Sequence, residues 1–282
     1  MFRIAALCLA VFSLTAAPAR ALAWSAPTHR LIAARAAERL GGPLGRLLLS
    51  HRRELLAGAV APDTRGPGAI PATDHVFHPD DPSPLPGAPA RAASMMWALA
   101  NRGPVAPAVL AFELGRVCHL VADLAQPLHT AGGAAHPREK TYHSRFERDV
   151  IPSAAALQPP SSPFAPATLA VEPFLRGLAT NSHRLYAPIE AAYLDGGGFP
   201  AVEGLALGQV LEAITTTVSV WRAYPPDGLA TPPSSAWGVA GRYTAVLLGY
   251  LALLRPRRAW LRRTWPSSSD VSFWNRWFQA PR

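Results

Sequence analysis

Cysteine is nearly absent from this chain of 282 residues: Cys8 and Cys118 are the only two. A chain with so few has no disulfide framework and no thiolate-rich metal site. Lysine is scarcer still, since Lys140 is the single lysine among 27 basic residues and arginine carries the net charge of +9. A basic surface is compatible with anionic lipid or nucleic acid and selects neither. Strand-like alternation of useful length is missing, and so are an internal repeat, a Gly-rich phosphate loop and a Ser/His/Asp arrangement. Long apolar runs are missing too. The most hydrophobic stretch, 243–254, is too short to span a bilayer and reads as a core helix.

What is present is helical periodicity in a chain with enough apolar residues, 49%, for a sizeable core. Expected helices run over 27–41, 43–57, 91–101, 105–126, 139–151, 168–194, 200–222 and 237–254. Ser25 or Thr28 caps the first, Pro27 suits its start and Gly41-Gly42 ends it. Pro127 ends the helix over 105–126. Thirty prolines, clustered in 79–90, 158–166 and 224–235, make rigid connections between helices. The fold class expected is all-α, a single compact multi-helix domain.

The first residues read as a signal peptide, 1–23. Arg3 supplies the positive start, Ile4 to Leu14 the apolar stretch and Ala21-Leu22-Ala23 the small-x-small cleavage site. Cleavage there exposes Trp24, removes Cys8 and leaves a basic chain whose one cysteine, Cys118, packs in an apolar helix. The expected helical domain covers 24–255. A basic, Trp-rich segment follows at 256–282, with Trp260, Trp265, Trp274 and Trp277 set among arginines. Such a segment packs back on the domain, or meets a membrane interface or single-stranded nucleic acid, and its composition does not choose.

The most informative pattern is a ladder of metal-ligand types. His119-x-x-x-Asp123 and His143-x-x-x-Glu147 each place a nitrogen and a carboxylate one helical turn apart, with His129 between the pairs. Without thiolates, zinc takes such nitrogen and oxygen donors. Upstream stand His29, Asp63 and His75. Of the remaining histidines, His51, His136 and His183 lack ligand context. His78 is set beside them, and Asp74 and Asp80 are loop carboxylates that could orient His75.

Taken in order, Trp24, His29, Asp63, His75, His119-x-x-x-Asp123, His129 and His143-x-x-x-Glu147 resemble the bacterial zinc-dependent phospholipase C family and its relatives, the single-strand-specific zinc nucleases. The resemblance runs from Trp24 to Asp149. It implies an all-α fold around a trinuclear zinc site. One zinc would be held by Asp63, His75, His119 and Asp123. A second would be held by His29, the bridging Asp123, and the free amine and carbonyl of Trp24. The third would be held by His129, His143 and Glu147. It further implies a zinc-activated hydroxide that attacks a phosphodiester, with Asp123 linking two metals and Asp63 as general base or orienting group.

Phospholipase C, releasing diacylglycerol and a phosphorylated head group, is the expected branch. The third set ends in Glu147 where the nucleases have Asp, the gap from His129 to His143 is short, and Val76 follows His75 where the nucleases place an aromatic residue. The alternative is a single-strand-specific zinc endonuclease or 3'-nucleotidase, to which the short Trp24-to-His29 spacing is similar. Choline-pocket residues are not preserved, since Pro27 and Thr64 stand where acidic and aromatic residues are expected. A zinc- or lipid-binding protein without turnover would carry the same ligands and show no chelator-sensitive activity. The expected partner is phospholipid, at a membrane surface, or else single-stranded nucleic acid. The chain is expected to be a monomer without an obligate protein partner, exported to the periplasm or secreted.

Overall fold

The computed structural model describes residues 24–82, 84–102, 105–131, 136–157 and 170–224. The chain divides into two units, Met1–Ala236 and Trp237–Arg282; the described residues all lie in the first. The expected signal segment 1–23, the helix 237–254 and the Trp-rich segment 256–282 fall outside them.

Every regular element among the described residues is helical. In chain order these are α1 (Ala26–Leu40), α2 (Gly42–Ser50), α3 (Arg52–Gly58), α4 (Gly87–Asn101), α5 (Pro107–Ala125), α6 (Glu139–Ala155), α7 (Val171–His183), α8 (Tyr186–Leu194) and α9 (Glu203–Arg222). Short 3-10 turns occupy Ala61–Asp63, Ala72–Asp74, Pro127–His129 and Phe199–Ala201. None of the described helices is long and apolar enough to cross a membrane.

Helix α5 is the axle. Leu114, Val117, Cys118, Leu120, Val121 and Leu124 are fully buried, and over 117–125 every residue is buried. A helix apolar all round must be surrounded, and α5 packs against α1, α3, α4, α7 and α9. Each such Leu or Val contributes roughly 1.5–3 kcal/mol by leaving water. A charged or polar group on the 117–125 half of this helix therefore faces the interior, which is where His119 and Asp123 go.

The closest approach in this core is between α3 and α5. A Cβ on Gly58 would lie 2.0 Å from the Phe112 carbonyl oxygen, and one on Gly115 would lie 2.2 Å from that of Leu55. Only glycine permits that crossing. It brings Ala59, the residue after α3, against His119, one turn beyond Gly115.

Several helices differ from the sequence pattern, α4 by beginning at Gly87 where 91 was expected. The segment expected as 43–57 breaks at His51, whose φ of −113° and ψ of 38° are not helical; the break frees α3 to pack on α5. The segment expected as 168–194 turns at Arg184 and Leu185 into α7 and α8. Helix α6 runs through Pro152 to Ala155, beyond the expected stop at 151. At the start of α1, Pro27 lies in the first turn and Ser25 takes the N-cap position. Its side chain pairs with the Thr28 hydroxyl at 3.3 Å instead of a backbone N–H.

Candidate metal centre

The residues singled out by sequence come from six places. His29 sits on α1, Asp63 closes the first 3-10 turn and His75 follows the second. His119 and Asp123 lie on α5, His129 ends the third 3-10 turn, and His143 and Glu147 lie on α6. Pro127 forces the third turn. Gln126 before it is extended, which ends α5, and its side-chain oxygen caps the Leu128 N–H. His129 is thereby carried off the α5 axis and towards α6.

These side chains meet in three groups: His29, His119 and Asp123; Asp63, His75 and His119; and His129, His143 and Glu147. Within each group the ligand atoms lie within 4.8 Å of one another. Asp123 divides its two oxygens. Its Oδ2 is 2.9 Å from Nδ1 of His75 and 3.3 Å from Nε2 of His119, while its Oδ1 is 3.4 Å from Nε2 of His29. Asp63 reaches the same place from the other side, its Oδ1 3.6 Å from His119 Nε2 and 3.8 Å from His75 Nδ1.

The histidines are held from behind. His119 donates from Nδ1 to the Ala59 carbonyl at 2.9 Å, the contact prepared by the glycine crossing. His75 donates from Nε2 to the Ile70 carbonyl at 3.3 Å. His129 uses Nδ1 on the His75 carbonyl at 3.5 Å, and the Phe77 N–H returns a bond to the His129 carbonyl at 3.2 Å. In each case the other ring nitrogen is left to face the group, as in sites where the outer partner sets the ligand tautomer.

Burial makes the arrangement costly without a cation. His29, His119 and Asp123 are wholly buried, and His129, His143 and Glu147 nearly so. Both nitrogens of His29, Nε2 of His129, Oδ1 of Asp123 and Oε1 of Glu147 are buried without a hydrogen-bond partner. Such orphans are destabilising unless something satisfies them. One nitrogen of neutral His29 carries a proton, and the other atoms of the set offer lone pairs, so a positive ion fits the site.

The electrostatics agree. Burial drives His29 down to about 3 and His129 down to about 4, so both are neutral and ligand-ready. Burial also opposes the charged form of His119, but Asp123 and Asp63 outweigh it and raise the group to about 10. His143 is similar: the bond to Glu139 and the nearby Glu147 carboxylate overcome burial and raise it to about 9. Burial lifts Glu147 to about 7, and Asp123 is held well below the usual carboxylate range, its own burial overcome by His119. Asp63 moves down as well, its burial overcome by His119.

Trp24 is fully buried with its ring 5.6 Å from that of Phe146, on the helix that carries His143 and Glu147. The set-aside histidines lie elsewhere. His136 pairs with Glu190 at 3.3 Å, and His183 bonds Asp80 at 2.6 Å and Thr130 at 3.3 Å. Asp80 is therefore engaged by α7, and it is the Ile70 carbonyl that stands behind His75. The sequence pattern also left out Gln126, whose amide nitrogen is 3.1 Å from His143 Nε2, and Glu139, 2.8 Å from His143 Nδ1. Glu139 was legible as a second i, i+4 partner of His143; the main-chain carbonyls carry no sequence signal.

Residues 28–162 match the profile of a family described as zinc dependent phospholipase C. The likeness to that family rests on this stretch, just under half of the chain. Crystal structures of two alpha-toxins share its fold. That of Clostridium perfringens alpha-toxin from an avian strain matches with a TM-score of 0.51 and 16% identity, over 74% of this chain and 65% of that one. That of Clostridium absonum alpha-toxin matches with a TM-score of 0.53 and 17% identity, over 70% of this chain and 62% of that one. The likeness takes in less than two thirds of either toxin, and at these identities it is a likeness of fold. No curated protein matches the sequence. The family stretch contains His29, Asp63, His75, His119, Asp123, His129, His143 and Glu147, and leaves out Trp24.

Proposed function

We propose that this chain is an exported zinc-dependent phosphodiester hydrolase that acts as a phospholipase C. The observation that carries the reading is the set of buried, unpartnered ligand-type atoms on Asp123, His29, His129 and Glu147, in a stretch that matches the zinc-dependent phospholipase C family. Asp63, His75, His119 and Asp123 would hold one zinc, and His29 with Asp123 a second, completed by the amine and carbonyl of Trp24 after cleavage at Ala23. His129, His143 and Glu147 would hold the third. Bound zinc supplies Lewis acidity, which activates water and offsets the negative charge of a phosphodiester.

The protein's own groups have distinct tasks. Asp63 is the open carboxylate: its side chain is 18% exposed, while Asp123 is sealed. Held in its ionised form, it is the group that can accept the proton of an attacking water at the mouth of the site. The water oxygen bonds to phosphorus, and the bond from phosphorus to the glycerol oxygen breaks. That oxygen leaves with the electron pair and takes up a proton, giving diacylglycerol and a phosphorylated head group. Asp123 holds its two neighbouring clusters in register with one carboxylate.

Phospholipid is favoured over nucleic acid by the family match, by Glu147 at the end of the third set and by Val76 after His75. The Trp24-to-His29 spacing favours the nuclease branch. One parallel assay separates them. The mature chain beginning at Trp24 is given mixed phospholipid vesicles, single-stranded DNA and RNA, with and without chelator. Diacylglycerol release that chelator abolishes and zinc restores is the expected result. Release of nucleotides alone would overturn the phospholipase reading, and bound zinc without turnover on any substrate would overturn the enzymatic one.

A further inference from the structure

The five buried histidines differ in what stands behind the ring. His75, His119 and His129 lean on main-chain carbonyls, and His29 has no hydrogen-bond partner on either nitrogen. His143 leans on a carboxylate. Its Nδ1 is 2.8 Å from Oε1 of Glu139, one turn earlier on α6. The other oxygen of Glu139 accepts the Tyr186 hydroxyl of α8 at 2.7 Å. Tyr186 in turn lies 3.1 Å from the hydroxyl of Tyr142, which donates to Glu190 at 3.2 Å.

We propose that Glu139 is a positioning residue for the His129, His143 and Glu147 cluster, fixing His143 with its proton on Nδ1 and its Nε2 lone pair turned to the cluster. The inference rests on the metal reading of that cluster. Glu139 is not itself a ligand, because it contacts the ring nitrogen on the far side from Glu147, and both of its oxygens are engaged. The near side tells the same story. Nε2 of His143 is 3.0 Å from Oε1 of Glu147, yet that oxygen has no hydrogen-bond partner. Gln126 settles the polarity. Its oxygen accepts the Leu128 N–H, so its amide NH2 is what points at His143 Nε2. An NH2 there is matched by a lone pair on Nε2 and opposed by a proton on it. In the metal-bound form Glu139, Tyr186 and Gln126 therefore all act to present the same nitrogen lone pair.

A carboxylate behind a ligating histidine raises its donor strength and holds its ring angle; loss of such a partner typically weakens metal binding about 10–100-fold. A main-chain carbonyl cannot be removed by a side-chain substitution, so this is the one cluster where the effect is directly testable.

The test counts zinc in the mature holoprotein during dialysis against rising chelator, for wild type and for Glu139→Ala, Glu139→Gln, Tyr186→Phe and His143→Ala. Wild type is expected to hold three ions. Glu139→Ala should lose a single ion at about 10–100-fold lower chelator, the same ion that His143→Ala lacks. Glu139→Gln keeps an acceptor oxygen and should stay within a few-fold of wild type; Tyr186→Phe should fall between. Nitrogen NMR of the zinc-loaded protein should show His143 with Nδ1–H in wild type and in Glu139→Gln. A Glu139→Ala protein that keeps three ions at wild-type chelator resistance overturns the inference, as does one that loses all three together. A wild type that binds no zinc overturns the metal reading itself. Should Glu139→Ala fail to fold, the Tyr186→Phe shift and the His143 tautomer still decide.

Discussion

The two halves of the candidate metal centre are built by different means. The half around Asp123 draws on α1, α5, the end of α3 and the loops carrying Asp63 and His75, and its histidines are braced by main-chain carbonyls. The half around His143 is mostly local. Glu139, His143 and Glu147 are successive turns of α6, braced by side chains. The first half exists only when the whole core is assembled. The second takes its ligands from one helix and the turn after Pro127, with the His75 carbonyl behind His129 and Tyr186 behind Glu139. Substitutions near Asp123 should therefore couple activity to folding, whereas those near His143 should act on one metal alone.

The largest effect expected follows from the shared carboxylate. Asp123→Asn removes the charge that faces three histidines and should lower kcat/KM by more than about 100-fold, with loss of more than one zinc. His78→Ala lies outside all three clusters and should stay within a few-fold of wild type. Kinetics and zinc content on both proteins check the contrast. Equal losses would mean that the assignment of ligands is wrong.

The coupling to the fold is sharpened at Gly115. A methyl there would meet the Leu55 carbonyl at 2.2 Å and the Ala59 N at 2.9 Å, both main chain. Neither can step aside, so α3 must shift and carry the Ala59 carbonyl away from His119. Gly115→Ala should cost about 1–3 kcal/mol by denaturant unfolding and weaken zinc at the Asp123 half first. Gly177, whose added Cβ meets nothing within 4 Å, is the control. Gly177→Ala should leave stability and zinc content close to wild type.

This contrast also explains what could be read in advance. The pair spacing on α5 and α6 was legible because a helix turns a gap of four residues into proximity, and the helix pattern itself gave the all-α class. The breaks at His51 and after His183 were not, since both segments keep helical composition and only packing of the later half on another element bends them. Asp80 was read as a partner for His75, but α7 brings His183 to it at 2.6 Å. A contact between residues so distant in sequence leaves no local trace. The carbonyls of Ala59 and Ile70 are equally silent, because any residue has one.

Protons offer a smaller effect that separates the halves from their histidines. In metal-free protein His119 and His143 are raised to about 10 and 9, so both carry a proton at pH 7; His29 and His129, lowered to about 3 and 4, do not. Zinc must displace the first two, and Glu147, raised to about 7, is half protonated, so loading at pH 7 should release about one proton from the Asp123 half and more than one from the other, measurable in weak buffer. Stability of the metal-free chain follows by sign. The raised pair contributes stability that is complete below pH 6.5 and lost as pH climbs through 9 to 10. The lowered pair contributes stability present above pH 6.5 and lost as pH falls towards 4 and 3. Metal-free protein should thus melt highest near neutral pH, while the zinc form should show a broader plateau. A metal-free melting curve that rises steadily to either extreme would contradict the assignment.

The smallest effect belongs to Cys118, the residue before His119, which faces away from the metal centre. Its thiol accepts the Thr217 hydroxyl of α9 at 3.7 Å, and burial pushes it up to about 12. It stays protonated at any pH the protein tolerates, and it is neither nucleophile nor ligand. A thiol reagent should therefore leave native protein unlabelled at pH 8 and label one site once it is unfolded. Cys118→Ala should cost about 1 kcal/mol from a small lost volume and the weak Thr217 bond, with zinc content and turnover unchanged. Neighbours on α5 then differ by the face they present: one residue of rotation separates a packing side chain from a group on which the Asp123 half depends. A loss of zinc in Cys118→Ala would show that this face of the helix is not independent of the other.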